Sequence, residues 1–161
     1  MGKKQEKPEH HGPRILNRKA RHEFHIQEVV ECGIELVGTE VKSLRAGQAK
    51  IDEAYARIRG GQAYLVGAHI AVYPYAPAAM QHEPTRDRRL LLHRRQIRVL
   101  EMHVQQKGKT LVPLAVYFKG GWAKCEIGLA GGKRQYDKRQ AIRDRDQQRD
   151  MQREISRRRR G

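Results

Sequence analysis

The chain has 161 residues, enough for one domain with appendages or at most two small domains. Its 34 Lys/Arg against 18 Asp/Glu give a formal net charge of +16, and the pI is near 10.4. A polyanionic partner is therefore expected, nucleic acid ahead of an acidic membrane, and no stretch is apolar enough to span a bilayer.

The first residues, MGKKQEKPEHHGPR, lack the apolar core of a secretory signal. Cys32 and Cys125 belong to no CxxC pattern and read as two buried thiols of a reducing compartment rather than a disulfide or metal site. A cytoplasmic protein with no cofactor is expected. Charge divides the chain into a flexible segment 1–14, a core 15–130 and a tail 131–161, which alone holds 12 Lys/Arg and 5 Asp/Glu.

Within the core, EFHIQEVVECGIELVG predicts two strands turning about ECG. GTEVKSLRAG follows and predicts a two-turn helix: Thr39 as N-cap, Glu40 at the positive end of the helix dipole, Gly47 just past the end. Its glycine spacing and mid-helix lysine exclude a P-loop. Val41 and Leu44 would close one end of a barrel, leaving Lys42 and Arg45 outside.

A second hairpin is expected in AYARIRGGQAYLVG about Gly60 and Gly61. YPYAPAAMQHEPT, with three prolines, reads as a mobile loop. HRRQIRVLEMHVQQKG then places Ile97, Leu100 and Val104 on one helical face, with His93 and Gln96 at its start and Gly108 beyond its end. TLVPLAVYF and WAKCEIGLA make a third hairpin, Pro113 implying an edge or a bulge. Six strands in three hairpins favour an antiparallel barrel or sandwich, a mainly β class.

After Gly131 and Gly132, read as a hinge, Arg145, Arg149, Arg153 and Arg157 recur four apart. Such like charges disfavour an isolated helix, so the free tail is expected to be largely disordered and to order on RNA. Tyr136 among these cations suits stacking on a base.

Catalytic signals are weak, and a binder rather than an enzyme is expected. Ser43 and Ser156, the only serines, stand in no nucleophile motif. His22 and His25, read as strand residues on opposite faces, complete no metal set, and adjacent Asp52 and Glu53 diverge.

LNRKARHEF (16–24), GTEVKSLRAG (38–47), PTRDRRLLLH (84–93) and YDKR (136–139), in this order and spacing, closely resemble the SmpB family, whose members bind transfer-messenger RNA (tmRNA). The resemblance spans about residues 15–145. It implies an OB-fold-like six-stranded antiparallel barrel with short helices and a basic C-terminal tail, disordered in solution and helical on the ribosome.

The implied activity is adaptor binding in trans-translation: holding the tRNA-like domain of alanine-charged tmRNA and delivering it to a stalled ribosome. The implied partners are that RNA, both subunits of the 70S ribosome, with its 30S decoding centre and mRNA channel, and elongation factor Tu; the free protein is expected to be monomeric. A general ribosome-associated RNA-binding protein with the same barrel is the alternative.

By the same resemblance, Asn17, Glu31, Leu91 and Lys124 occupy RNA-binding positions, and Arg18, Arg21, Lys42 and Arg45 are grouped with them as cations extending that surface. Leu91 should be the exposed member of Leu90–Leu91–Leu92, because an extended segment buries alternate residues. His22 with Tyr136, Asp137, Lys138 and Arg139 matches positions near the decoding site.

Overall fold

The computed structural model describes residues 12–160, with the backbone alone for 133–139 and 160. Most of the segment expected at 1–14 thus lies outside the described residues. In chain order the elements are β1 (Ile15–Leu16), α1 (Arg18–Glu23), β2 (Phe24–Ile34), α2 (Gly38–Arg45), β3 (Ala49–Lys50), β4 (Tyr55–Arg59), β5 (Gln62–Val66), β6 (His69–Ile70), β7 (Arg88–Leu91), α3 (Arg94–Val104), β8 (Lys109–Lys119), β9 (Trp122–Gly132) and α4 (Lys133–Arg160).

Six strands pair antiparallel in a ring that closes on itself, β8-β4-β5-β7-β2-β9 and back to β8. β1 lies along β8, and β3 with β6 forms a separate ribbon. The interior is filled by Leu44, Leu65, Leu90, Leu100, Leu111, Phe118, Ile127 and Leu129. This is the expected mainly β, six-stranded architecture.

Two of the three expected hairpins are present. Gly60 and Gly61, with φ of 59° and 71°, turn β4 into β5, and Gly120 and Gly121, with φ of 58° and 79°, turn β8 into β9; left-handed φ at both positions is what a two-residue hairpin turn requires. The register of β8 on β9 shifts between Pro113 and Ala115, so the proline sits at a bulge.

The first hairpin is a correction. Residues 24–34 form one continuous strand, with a register shift against β9 between Ile26 and Glu28, and Gly33 does not turn it. A Cβ at Gly33 would come within 3.2 Å of the Leu91 side chain, so this glycine serves close approach of β7 rather than reversal. The ring's missing member is β7, from a stretch where two arginines run directly into three leucines.

α2 is a helix over the expected residues, with Leu44 buried and Gly47 at φ 74° beyond its end. Its N-cap is Val37, not Thr39. Glu40 reaches back to accept the Val37 N–H at 2.9 Å, and the Thr39 hydroxyl is instead bonded to His82 Nδ1 at 2.8 Å. His82, itself buried, also bonds the Ile70 carbonyl. The Pro/Ala-rich loop, expected to be mobile, is pinned there and by Gln81, whose amide bridges the backbone of Tyr73 and Ala76.

α3 buries Ile97 and Leu100 and starts with Gln96 accepting the His93 N–H at 3.1 Å. Gly131 and Gly132 are no hinge: both continue β9, paired with His25 and Phe24. The chain then enters α4 directly, a helix where the expectation for the free tail was disorder. From Gln140 to Arg159 every described side chain is exposed, and Asp150 beside Arg153 at 3.9 Å offsets part of the arginine repulsion.

Candidate nucleic-acid interface

Gly33 pairs with Leu91 on one side and Lys124 on the other, so these residues stand in one row on the outer face of the ring. The Leu91 side chain leans over Gly33, and the row lines a groove of about 450 Å³ together with Phe118 and Trp122. Leu91 is half exposed while Leu90 is buried, as strand alternation requires. Trp122 is 74% exposed, an aromatic surface with no cover among the described residues.

Glu31 lies two residues along β2 on the same face. Its carboxylate accepts from the Tyr117 hydroxyl and from Lys119 Nζ at 3.2 Å. The Tyr117 bond holds the carboxyl below the usual carboxylate range, partial burial opposing it and Lys119 and Lys124 assisting. Burial, and then Glu31 itself, push the Tyr117 hydroxyl well above its usual range. Arg14 lies 4.4 Å over the Tyr117 ring and pairs with Glu126 at 2.8 Å. The carboxylate is thus an oriented acceptor inside a cationic frame.

α2 borders the groove through Val41. Lys42 and Arg45 point outward as expected, with Lys42 Nζ 5.2 Å from the Tyr73 ring centre and Arg45 Cζ 5.2 Å from that of Phe118. Beneath them, buried Glu40 accepts from Arg86 through both oxygens at 2.7 Å and from Arg88 at 2.8 Å. That cluster ties α2 to β7, and the sequence reading gave Glu40 only a dipole role.

Asn17, Arg18 and Arg21 do not join the groove. Asn17 is 5% exposed, and its side chain caps α1 by accepting the Ala20 N–H at 3.0 Å and donates to the Pro113 carbonyl at 2.9 Å. It fixes α1 on β8 and has no free edge to offer RNA. Arg18, Arg21 and His22 are exposed on α1, so His22 is a helix residue rather than a strand residue. Since Phe24 pairs with Gly132, α1 and the root of α4 meet at one end of the β2–β9 ladder. Tyr136, Asp137, Lys138 and Arg139 follow within the first turns of α4, their side chains outside the described residues. The groove is at the ladder's other end, about 30 Å away at 3.4 Å per residue.

Glu53 is engaged by Lys19, and Asp52 beside it is exposed. Among the described residues no three His, Cys, Asp or Glu are gathered as a metal site, and no helix is long and apolar enough to cross a membrane.

A family model described as "SmpB protein" matches residues 14–157. The chain belongs to the SmpB family. Among SmpB-family relatives, an "SsrA-binding protein" of Shouchella clausii is 50% identical over 145 residues, covering 90% of this chain and 92% of the relative. That of Thermobifida fusca is 45% identical over 161 residues, 99% and 100% of the two chains. A solved chain described as "tmRNA-SmpB: a journey to the center of the bacterial ribosome" superposes with a TM-score of 0.64 at 48% identity, covering 76% of this chain and 85% of its own.

Sequence reasoning missed Trp122, Phe118, Tyr117 and Lys119. Strand alternation held the signal for Trp122: two residues from Lys124 on the strand leaving a Gly-Gly turn, it shares that lysine's face.

Proposed function

We propose that this chain binds tmRNA, the SsrA RNA, as an adaptor in trans-translation. Family membership supports the reading, and one observation carries it: a groove combining an exposed aromatic, an exposed leucine, a lysine and an oriented carboxylate lies at the opposite end of the barrel from the basic helix. Lys124 meets phosphate, Leu91 and Trp122 pack on unstacked bases, and Glu31 accepts from an amino or 2′-hydroxyl group.

The groove holds the tRNA-like domain, and the other end faces the 30S decoding centre. There His22 and the segment Tyr136–Arg139 stand at the decoding site while α4, about 42 Å long at 1.5 Å per residue, follows the empty mRNA path. Arg18 and Arg21 belong to this second end. The protein works as a monomer, without catalysis, alongside elongation factor Tu, and the ribosome as partner places it in the cytoplasm.

Deleting residues 133–161 should leave affinity for a tRNA-like RNA within about twofold, while ribosome rescue in a reconstituted translation system is lost. Parallel loss of both activities would refute the division of labour.

A further inference from the structure

We infer that the RNA surface does not end at the groove: it continues across the outer face of β7, β5 and β4, where Arg89, Arg57 and Arg59, with Tyr64, contact the sugar-phosphate backbone of the same RNA. The inference rests on the reading of the groove as an RNA site and adds residues that this reading does not use.

Register carries the argument. Arg89 is two residues before Leu91 on β7 and therefore on its face. Arg89 pairs with Tyr64, and Tyr64 with Arg57, so the three side chains form one row across three strands. Arg59 lies on the same face of β4, its Cζ 5.1 Å from the Tyr64 ring centre. At about 4.8 Å per strand, the span from Arg57 to Lys124 is roughly 20 Å, with Glu35 beside Arg89 at the groove's edge.

Positive charge is in excess on these strands. β4, β5 and β7 contain no Asp or Glu. Among the described residues Arg57, Arg59 and Arg89 form no ion pair, whereas Arg14, Lys19 and Lys119 each pair with a carboxylate. Arg89 donates from Nε to the neutral Gln62 Oε1 at 3.1 Å, which aims the guanidinium without cancelling it. Carboxylate-bearing residues border the stripe without pairing with it: Glu101 shares a groove with Arg57, and Glu35 N–H donates to the Arg89 carbonyl at 2.9 Å. A stacked and a hydrogen-bonded guanidinium are ordered before RNA arrives, which suits planar donors to phosphate.

The test uses the full chain, a labelled RNA of tRNA-like fold and a single-stranded homopolymer of equal length. Affinity is measured by anisotropy across a salt series. For the variant Arg57→Gln, Arg59→Gln, Arg89→Gln, the slope of log affinity against log salt on the tRNA-like RNA should fall by about 2 to 3. The single change Arg59→Gln should lower it by about 1, an independent reading should the triple variant not fold. A wild type that prefers the tRNA-like RNA, with variants of unchanged slope, overturns the stripe and leaves the groove standing. A wild type without that preference overturns the groove reading and the stripe with it.

Discussion

Arg88 donates from Nε to Glu40 Oε1 at 2.8 Å, and both side chains are fully shielded from water. Nη1 donates to the Ala68 and Arg86 carbonyls and Nη2 to that of Pro84, so each nitrogen of the buried cation is hydrogen-bonded. Burial alone would raise the Glu40 carboxyl, but the bonds from Arg86 and Val37 and the charge of Arg88 bring it below the usual range. Removing one partner of such a pair strands the other, and Glu40→Gln should cost about 3–5 kcal/mol in urea unfolding at neutral pH.

The same carboxylate predicts an acid limb. Glu40 and Glu31 both have lowered folded pKa values, so on acidification the unfolded chain takes up protons first. Their stabilisation is complete above the ordinary carboxylate range and is lost as pH falls through it toward the folded values. Unfolding free energies measured from pH 6 to pH 3 should decline, and Glu40→Gln should decline less steeply than wild type; an equal slope would remove Glu40 from the account.

Asn17→Ala should separate scaffold from contact. It deletes the α1 cap and the tie to Pro113, a cost of about 1–3 kcal/mol. Affinity for tRNA-like RNA, measured where both proteins are fully folded, should change by less than about twofold. A tenfold loss without destabilisation would make Asn17 a direct contact after all.

Glu31→Lys asks whether the groove is more than charge. The change raises net charge but removes the acceptor of Tyr117 and sets a third cation beside Lys119 and Lys124. A site built around the carboxylate should bind RNA more weakly in a nitrocellulose filter assay, whereas purely electrostatic attachment should tighten.

Trp122 is the only tryptophan in the chain, so its emission reports on the groove alone. Titration with tRNA-like RNA should quench it. Trp122→Ala should shift stability by no more than about 0.5 kcal/mol and weaken binding by about 1–3 kcal/mol. Emission unmoved at saturating RNA would take Trp122 out of the interface.

Much of the architecture was legible because it is written locally. Gly60–Gly61 and Gly120–Gly121 specify turns, Ile97 and Leu100 mark the face of α3, and Leu90 against Leu91 follows from alternation. The errors arose where a residue's purpose lies across the fold. Gly33 resembles a turn in sequence, yet it makes room for Leu91, some sixty positions away. Glu40 suits a helix start equally well in solvent or in the core, and only Arg86 and Arg88 decide between them. Asn17 is polar and sits in a basic motif, which hid its role as a cap held under Pro113.

The placement of β9 bears on how the protein is made. β2 emerges early in synthesis, but the long ladder that holds it forms only with residues 124–132. The barrel's ring therefore cannot close until nearly the whole core has been translated, and Lys124 and Trp122 arrive on that same last strand. A nascent chain interrupted before β9 carries neither a closed barrel nor a complete groove, so partial products lack the Lys124 and Trp122 side of the RNA surface.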